Sequence, residues 1–414
     1  MKKIGFNTSL LHGRRSGAAE FGTTLPPIYQ SSAFEQGTAQ ELENVFKGRA
    51  HGYAYTRISN PTVDALEQRM TLLEGGIASV ACASGMAAIF NTIMNIAQSG
   101  DEIISCAGIF GGTIGLFEDL EAFGIHTKYV DAPEIELLEP QITDRTRILF
   151  AETIGNPLLN VLDIAKIAEF ARAHQLVFIV DNTVASAYLV RPLALGADIV
   201  VNSTSKYVNG SGNSISGVIT DGGKYKWDPQ RFPQFANYKK MGPYAFTAKL
   251  RATLFRNTGA CLSPFNAYLN CIGLETMGLR MQKACDNALA LAEHLAAKQE
   301  VYEVNYPGLA DTPYYTIAKQ QFEHGTGAMV TLRAGSKERS FALIDRLKYA
   351  LKVSNIGDSK TLVIHPASTI YVQNSQQERE KAGVFDDLIR ISVGIEDIED
   401  LIEDFDQAIE GMEV

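Results

Sequence analysis

The sequence predicts an α/β fold in which a mostly parallel sheet carries helices on both faces and a smaller α+β domain follows. Short apolar runs alternate with helical periods through roughly 61–220, as βαβ units require. Two of these runs, 177–181 and 197–201, are apolar at nearly every position, as in parallel strands covered on both faces. A chain of 414 residues also exceeds what one hydrophobic core usually supports, so we expect two domains and an arm.

Composition limits the kind of partner. A formal net charge of −10 and a pI near 5.3 disfavour a nucleic-acid groove and an anionic membrane surface. The five cysteines are scattered and include no C-x-x-C pair, which disfavours a disulfide framework or a zinc site and suits a reducing cytoplasm. No apolar core follows the initial Met-Lys-Lys, and no stretch reaches the roughly 18 apolar residues of a membrane span. We expect a cytoplasmic protein that acts on small molecules, with no metal, no nucleic acid and no membrane partner.

Residues 1–60 are polar and irregular, with Pro26-Pro27 and several glycines, and are predicted to form an extended arm. A first domain is expected at 61–262 and a smaller second domain at 263–414. In the second domain, apolar spacing predicts helices at about 263–298, 340–349 and 396–414, and strands near 301–304, 328–332 and 362–364.

The first domain begins with a predicted helix at 61–73, where Val63, Leu66, Met70 and Leu73 share one face and Gly75-Gly76 ends the helix. Further along, the pattern predicts strands at 78–82, 101–105 and 147–151, and helices from 84 and over 163–174. Segment 224–246 is aromatic and interrupted by prolines without a sustained period, so it is predicted to be an ordered excursion.

The turn Ser84-Gly85-Met86 leads from a strand into a helix. Such a turn exposes backbone N–H groups at the positive end of a helix dipole, which suits a phosphate. A plain helix cap explains the turn equally well.

Lys206 follows a buried strand and lies among Ser203, Ser205 and two glycines. The carboxyl ends of strands in open α/β sheets are where ligands bind, and desolvation makes a lysine there easier to deprotonate. The two serine hydroxyls could donate to a phosphate. Taken alone, the motif would more often be a surface lysine after a strand. What changes the interpretation is Asp181, an acid at the end of a second apolar strand.

An acid and a lysine placed at two strand ends are how a pyridoxal 5′-phosphate (PLP) site is built, since the acid keeps the pyridine nitrogen protonated and the lysine binds the aldehyde. The run Asp198-Ile-Val-Val-Asn-Ser-Thr-Ser-Lys206-Tyr207 resembles the signature of the Cys/Met-metabolism family of PLP enzymes, and the similarity covers nearly all of the chain. The resemblance implies PLP as cofactor, with Lys206 as Schiff-base lysine and Asp181 as the acid. It also implies the fold type I of aspartate aminotransferase, with a mostly parallel seven-stranded sheet.

The resemblance extends to other cofactor contacts. Gly85 and Met86 match family residues whose amides bind the cofactor phosphate, and Asn156 matches the asparagine at the ring hydroxyl oxygen. Phe110 stands where family members usually have tyrosine, so its ring can stack on the pyridine but the phenol oxygen is missing. The alternative is a purely structural role, in which Phe110 only fills the hydrophobic core.

Tyr55 and Arg57 resemble the family's Y-x-R motif, which reaches the cofactor phosphate of a neighbouring subunit. A planar guanidinium suits that contact because it can bind phosphate bidentately. Without the family, the two residues are an ordinary loop pair. With it, they imply an obligate homo-oligomer, expected to be a tetramer built as a dimer of dimers.

On the substrate side, Arg390 lies within an apolar run and would be an expensive buried charge without an anion. A substrate α-carboxylate fits this role, and a salt bridge to one of the acids at 396–400 is the alternative. Asn355 stands where sulfhydrylases of the family tend to have asparagine and many lyases have serine. Gly112 stands where methionine γ-lyases have cysteine.

The resemblance therefore implies a γ-replacement in which O-acetylhomoserine and sulfide or a small thiol give homocysteine or methionine and acetate. The alternative is γ-elimination by a methionine or cystathionine γ-lyase, against which Gly112, Phe110 and Asn355 count. A third reading is a scaffold that binds the cofactor without turnover, which the presence of Asp181, Lys206 and Arg390 together disfavours.

Overall fold

The computed structural model describes residues 4–13, 22–106, 108–130 and 134–412. Its larger sheet has seven strands in the order β1-β7-β6-β5-β4-β2-β3. These strands are β1 (Ala78–Cys82), β2 (Glu102–Cys106), β3 (His126–Val130), β4 (Thr146–Glu152), β5 (Val177–Asp181), β6 (Ile199–Asn202) and β7 (Gly217–Asp221). All neighbours run parallel except β7, which is antiparallel to both β1 and β6. The predicted mostly parallel seven-stranded sheet is confirmed.

Helices pack on both faces of this sheet and on the smaller sheet in the carboxyl-terminal part of the chain. They are α1 (Phe6–His12), α2 (Ala39–Phe46), α3 (Pro61–Glu74), α4 (Gly85–Ile96), α5 (Gly111–Glu121), α6 (Ile135–Leu138), α7 (Ile164–Ala173), α8 (Ser186–Leu189), α9 (Pro192–Leu195), α10 (Ala245–Leu250), α11 (Arg256–Thr258), α12 (Pro264–Glu275), α13 (Met277–Ala296), α14 (Tyr315–Gln321), α15 (Lys337–Arg346), α16 (Gln376–Lys381) and α17 (Ile398–Glu410). Among the described residues, no helix is both long enough and apolar enough to cross a bilayer.

The strand β5 shows why the sheet is buried on both faces. Phe178 and Val180 pack into one hydrophobic core, while Val177 and Ile179 pack into a second core on the opposite face. All four side chains have no exposed surface. Because successive side chains of a strand point to opposite faces, a continuous apolar run is what a doubly covered strand requires.

The start of α3 follows its local sequence. The Asn60 side chain accepts a hydrogen bond from the Thr62 amide at 2.9 Å, and Pro61 occupies the first helical turn. Gly75 ends the helix in the left-handed conformation, with φ of 74°. The helix predicted at 61–73 is therefore confirmed, one residue longer.

Segment 224–246 packs as an aromatic cluster on one face of the larger sheet. Trp227 stacks on Phe235, with ring centroids 4.1 Å apart and planes at 13°, and Phe232 meets the indole edge-on at 5.4 Å. A run of 3₁₀ turns at Pro233–Tyr244 carries the chain onward to α10. The excursion is ordered because Phe232 and Phe235 are buried in the core and Trp227 packs against it, although the sequence has no helical period.

The arm is less irregular than predicted, because α1 and α2 form within it. Leu10 of α1 is buried, and the Phe6 ring meets Tyr188 edge-on at 5.1 Å, so α1 is held by packing on the first domain. Residues 14–21 lie outside the described part of the chain. The boundaries at 60 and 262 remain predictions.

The smaller sheet has five strands in the order β10-β11-β12-β9-β8. They are β8 (Glu303–Asn305), β9 (Met329–Arg333), β10 (Leu351–Lys352), β11 (Leu362–Ile364) and β12 (Leu388–Ser392). The helix predicted at 340–349 instead spans Lys337–Arg346, since the Ser336 side chain caps it by accepting from the Arg339 amide. The acidic helix predicted to begin at 396 begins at Ile398.

Candidate active site

A cavity of about 260 Å³ lies where the carboxyl ends of β4, β5 and β6 meet the first turn of α4. Residues that follow β10 and lie on β12 close its other side. The wall contains every predicted cofactor and substrate residue except the arm pair Tyr55 and Arg57, namely Gly85, Met86, Phe110, Asn156, Asp181, Ser203, Ser205, Lys206, Asn355 and Arg390.

Lys206 lies on a tight turn just beyond β6. Its amide donates to the Ser203 carbonyl at 3.2 Å, and its carbonyl accepts from the Gly210 amide at 2.8 Å. The Nζ atom donates to the Oδ1 atom of Asn355 at 2.6 Å. Burial, and secondarily the positive charge of Arg390, lowers the pKa of the Lys206 ammonium. The amine is therefore easier to deprotonate than a surface lysine.

Asp181 ends β5 inside the same cavity. Its Oδ1 atom accepts from the Thr183 amide at 2.9 Å and from the Thr183 hydroxyl at 2.5 Å. Burial raises the pKa of Asp181 to about 6, and the two bonds from Thr183 act in the opposite direction. The Thr183 hydroxyl also accepts from the Ser203 amide at 2.8 Å, so one side chain connects the acid to the segment that carries Lys206.

Glu152 is a second buried acid that sequence reasoning did not single out. It ends β4 directly beside Asp181, which is its register partner in β5. Its Oε1 atom accepts from the Phe110 amide at 2.8 Å. Burial, and then the neighbouring Asp181, raises the pKa of Glu152 well above its ordinary value. Glu152 thus fixes the loop that carries Phe110.

The first turn of α4 offers free amides to the cavity. Ser84 caps the helix by accepting from the Ala87 amide at 3.0 Å through its side chain, and its carbonyl accepts from the Ala88 amide at 3.0 Å. Within the described chain, no acceptor is found for the amides of Gly85 and Met86. A Cβ atom at Gly85 would lie 2.7 Å from Cβ of Ser203, so only glycine allows this close approach.

The two serines before Lys206 differ in their surroundings. The Ser205 hydroxyl is buried and donates to the Ser216 carbonyl at 3.0 Å while accepting from the Ser216 amide at 2.8 Å. The Ser203 side chain instead lies against Gly85, next to the free amides of α4. Of the two hydroxyls, that of Ser203 is better placed to bind an anion at this helix end.

Phe110 precedes α5 and keeps 37% of its surface exposed at the cavity. This exposure does not fit the alternative that Phe110 only fills the hydrophobic core. A Cβ atom at Gly112 would lie 2.5 Å from the Phe110 ring, so the ring position depends on that glycine.

Arg390 is 3% exposed and has no acidic partner among the described residues. Its Nη1 atom donates to Oδ1 of Asn156 at 3.0 Å and its Nη2 atom to the Asn355 carbonyl at 3.2 Å, while its Nε atom has no partner. Burial lowers its pKa to about 10. The acid Glu396 binds the amide and hydroxyl of Thr361 instead, so the alternative salt bridge does not form there.

Tyr55 and Arg57 do not reach the cavity of their own chain. Tyr55 is 42% exposed, and the Arg57 guanidinium lies 5.5 Å from the centre of the Tyr55 ring. Arg57 also donates to the Arg256 carbonyl. Among the described residues, no group of three His, Cys, Asp or Glu side chains is arranged to hold a metal ion.

Some cavity residues were not predicted from the sequence. Thr183 and Glu152 lie at strand ends, where the neighbour in the adjacent strand had to be known before a role could be assigned. Ile215 and Ile370 line the cavity from segments far apart in the chain. The position of Thr183, two residues after the predicted acid, is the signal that could have identified it.

The sequence of this chain is similar to that of several known proteins. A family model described as "Cys/Met metabolism PLP-dependent enzyme" matches residues 7–410. The chain is 39% identical to an O-acetyl-L-homoserine sulfhydrylase of Corynebacterium glutamicum, with 97% of this chain and 96% of that protein covered. It is also 39% identical to a homocysteine synthase of Schizosaccharomyces pombe, with 98% of both chains covered.

Two crystal structures are similar over the whole chain. One is a putative O-acetylhomoserine (thiol)-lyase of Campylobacter jejuni with N′-pyridoxyl-lysine-5′-monophosphate, at a TM-score of 0.95 and 35% identity, covering 98% of this chain and 100% of that one. The other is a cystathionine γ-lyase of Lactobacillus plantarum complexed with L-serine, at a TM-score of 0.88 and 33% identity, covering 99% of each chain.

Proposed function

The chain belongs to the Cys/Met metabolism family of PLP-dependent enzymes, and from that premise we propose that it is an O-acetyl-L-homoserine sulfhydrylase. The reaction is a γ-replacement in which sulfide or methanethiol displaces acetate to give L-homocysteine or L-methionine. The structural observation that carries the proposal is Asn355, which contacts both Lys206 and Arg390 inside one cavity. The names of the full-length relatives support the same reaction.

The residues present fit PLP. The unpartnered amides of Gly85 and Met86 and the hydroxyl of Ser203 form a cradle that a Cβ atom at Gly85 would fill. Asp181, Lys206 and the exposed Phe110 ring all line the same cavity. The cofactor requires an acid, an amine, an aromatic ring and a phosphate-binding site, and the cavity provides all four.

When bound, PLP supplies an electron sink that delocalises the electron pair left on the substrate when a proton leaves carbon. Asp181 would hold the proton on the ring nitrogen, and Asn156 would contact the ring hydroxyl oxygen. Lys206 would hold the cofactor covalently. Its Nζ atom would also remove and return protons at the α and β carbons of the substrate, which requires an amine that deprotonates readily.

Arg390 would bind the substrate α-carboxylate. Its guanidinium is buried, carries no acid partner among the described residues and keeps one unpaired N–H. A carboxylate would satisfy that donor and compensate the buried charge. Asn355 orients the pair, because its carbonyl accepts from Arg390 while its side chain accepts from Lys206.

Part of the wall is apolar. Phe110, Ile215, Ile356 and Ile370 line the cavity. Lys206 and Arg390 are the only cationic side chains on the wall within the described chain. An acetyl group, which carries no charge, suits such a wall better than a succinyl group, whose second carboxylate would find no cation. The same apolar surface would exclude water from the reacting carbon.

Tyr55 and Arg57 complete a neighbouring subunit's phosphate site in this proposal. Both lie away from the cavity of their own chain, where the Arg57 guanidinium contacts the Tyr55 ring and donates to the Arg256 carbonyl. The functional unit is then a homo-oligomer, with a tetramer built as a dimer of dimers. We assign the reaction to the cytoplasm, where the five unpaired cysteines would stay reduced.

γ-Elimination is the second candidate, because the cystathionine γ-lyase of Lactobacillus plantarum is similar over 99% of both chains. The two reactions differ in whether an acceptor thiol is required. A product assay with O-acetylhomoserine, O-succinylhomoserine and methionine, each with and without sulfide, separates them. We expect homocysteine from O-acetylhomoserine only when sulfide is present. Release of 2-oxobutyrate from methionine without sulfide, with no homocysteine formed, would overturn the proposal in favour of a lyase.

A further inference from the structure

Two thiols face each other across a short antiparallel contact outside the cavity. Cys82 is the last residue of β1, and Cys261 lies in the segment between α11 and α12. The two residues form an isolated antiparallel bridge pair. The Ala83 amide donates to the Ala260 carbonyl at 2.8 Å, immediately beside that pair.

The position of this hydrogen bond defines the geometry of the pair. Because the bond joins the flanking residues, Cys82 and Cys261 occupy a non-hydrogen-bonded position, where Cα atoms lie about 4.5 Å apart and side chains are on the same face. Disulfides span Cα separations of roughly 4.4–6.8 Å. A disulfide between these two residues therefore needs side-chain rotation but no movement of the strands. The other three cysteines, Cys106, Cys271 and Cys285, have no cysteine opposite them.

The two thiols differ in access. Cys82 is fully buried, and burial, with Glu67 as a smaller cause, raises the pKa of its thiol. Cys261 is partly exposed and lines a separate cleft of about 360 Å³ together with Tyr53 and Arg251. A small oxidant entering the cleft would meet Cys261 first, and the thiol paired with it across the bridge is that of Cys82.

We propose that Cys82 and Cys261 are an oxidation site that closes into a disulfide when the protein meets a peroxide. The Cys261 sulfur attacks the peroxide oxygen, which gives a sulfenic acid and, with hydrogen peroxide, one water. The Cys82 sulfur then attacks the Cys261 sulfur and loses its proton, and a second water leaves. Two thiols and one peroxide thus give one disulfide and two waters, with the two electrons passing to the peroxide.

The disulfide would join two segments that support the active site. Cys82 stands two residues before the cap Ser84, at the start of the turn that presents the Gly85 amide. Cys261 follows the segment of Arg256, whose carbonyl accepts from Arg57. Oxidation would therefore fix the α4 turn to the segment that holds the arm, and the long chain loop that it closes would raise thermal stability. This inference does not depend on which reaction the enzyme catalyses.

The test is to treat the holoenzyme with hydrogen peroxide and map its peptides under non-reducing conditions. We expect the loss of two thiols, a cross-linked peptide pair containing Cys82 and Cys261, and an unfolding temperature raised by several degrees, all reversed by dithiothreitol. Cys261→Ser should show neither the cross-link nor the shift. Cys285→Ala, which removes a buried cysteine with no cysteine opposite it, should show both.

Two outcomes would overturn the proposal. One is thiol loss in the wild-type protein without a peptide pair linking residues 82 and 261. The other is an equal rise in unfolding temperature in Cys261→Ser. The peptide map of the wild-type protein decides the first outcome without any variant, so poor folding of a variant cannot hide the answer.

Discussion

The Nζ atom of Lys206 donates to the side chain of Asn355 at 2.6 Å, across the two halves of the cavity. Lys206 follows β6 of the larger sheet, and Asn355 lies between β10 and β11 of the smaller one. The acceptor is the neutral amide oxygen of Asn355. The pKa of Lys206 therefore depends on the charge of the side chain at position 355.

Asn355→Asp should shift the activity profile to higher pH. A carboxylate at this distance stabilises the ammonium form, so it raises the pKa of Lys206, which burial and Arg390 now lower. Less of the free amine is then present at neutral pH. The pH dependence of kcat/KM measures this, and Asn355→Ala is the control, since it removes the contact without adding charge. If the acidic limb of the kcat/KM profile does not move in Asn355→Asp, the assignment of Lys206 as the base is wrong.

Arg390→Lys should weaken amino-acid substrate binding. Lysine keeps the charge but loses the planar fork that contacts Asn156 and Asn355. Losing one partner of a buried charged contact costs about 2 kcal/mol or more, which is roughly 30-fold in KM. Steady-state kinetics check this. Arg333→Lys on the adjacent strand, where the guanidinium pairs with Asp387 away from the cavity, should leave KM unchanged. An unaltered KM in Arg390→Lys would place the carboxylate elsewhere.

Asp181→Asn should stabilise the apoprotein at neutral pH while abolishing turnover. The folded-state pKa of Asp181 is raised to about 6, so the folded protein holds this proton more tightly than the unfolded chain does. The free energy of unfolding contributed by Asp181 is therefore greatest at acid pH and falls as the pH rises from about 4 to about 6. The amide oxygen can still accept both bonds from Thr183.

Denaturant titrations of the cofactor-free protein between pH 4 and pH 7 measure this effect. The free energy of unfolding should fall more steeply with rising pH in the wild-type protein than in Asp181→Asn. The variant should keep a smaller dependence on pH that comes from Glu152. Identical slopes would mean that Asp181 is not the buried acid that titrates. If Asp181→Asn retains turnover, Asp181 does not hold the proton on the ring nitrogen.

Gly112→Ala should displace the Phe110 ring. The new methyl group would lie 2.5 Å from that ring, so the ring or the helix must move. We expect a lower kcat/KM and an altered visible spectrum of the bound cofactor. Gly115→Ala lies in the same helix with no atom within 4 Å, so it should keep full activity and gain about 0.5–1 kcal/mol in stability. Equal activity in the two variants would show that the Phe110 position does not matter.

Arg57→Ala should weaken cofactor retention, and mixing it with Lys206→Ala should restore part of the activity. If Arg57 completes a neighbouring site, a mixed dimer contains one intact site and one site with both defects. Random mixing of equal amounts then recovers about one quarter of wild-type activity. Refolding the two variants together and assaying turnover tests this. No recovery would mean that the arm serves its own chain.

The sequence predicted the strands that are buried on both faces, because β4, β5 and β6 each contain a continuous apolar run. It did not predict β3 or β7. β3 lies at the sheet edge, and its run from His126 to Val130 is mostly polar. β7 follows a segment rich in serine and glycine, and its antiparallel pairing with β1 and β6 depends on contacts between residues far apart in the chain.

The site was predictable where a residue type and its strand position were both informative, as for Lys206 and Asp181. Glu152 was missed because an acid at a strand end is usually solvated. Only its register with Asp181 reveals that it is buried. The internal pairing of Ser205 with Ser216 was also beyond the pattern, since a buried hydroxyl bonded to the main chain and one bound to a ligand look the same in a sequence.

The bond from Arg390 to Asn156 joins the end of one sheet to a strand of the other across the cavity. Neither half of the polypeptide, expressed alone, would contain a complete binding site for an amino acid. Activity should therefore vanish when the chain is cut between the two sheets and the fragments are kept apart, and should return only when the fragments reassociate.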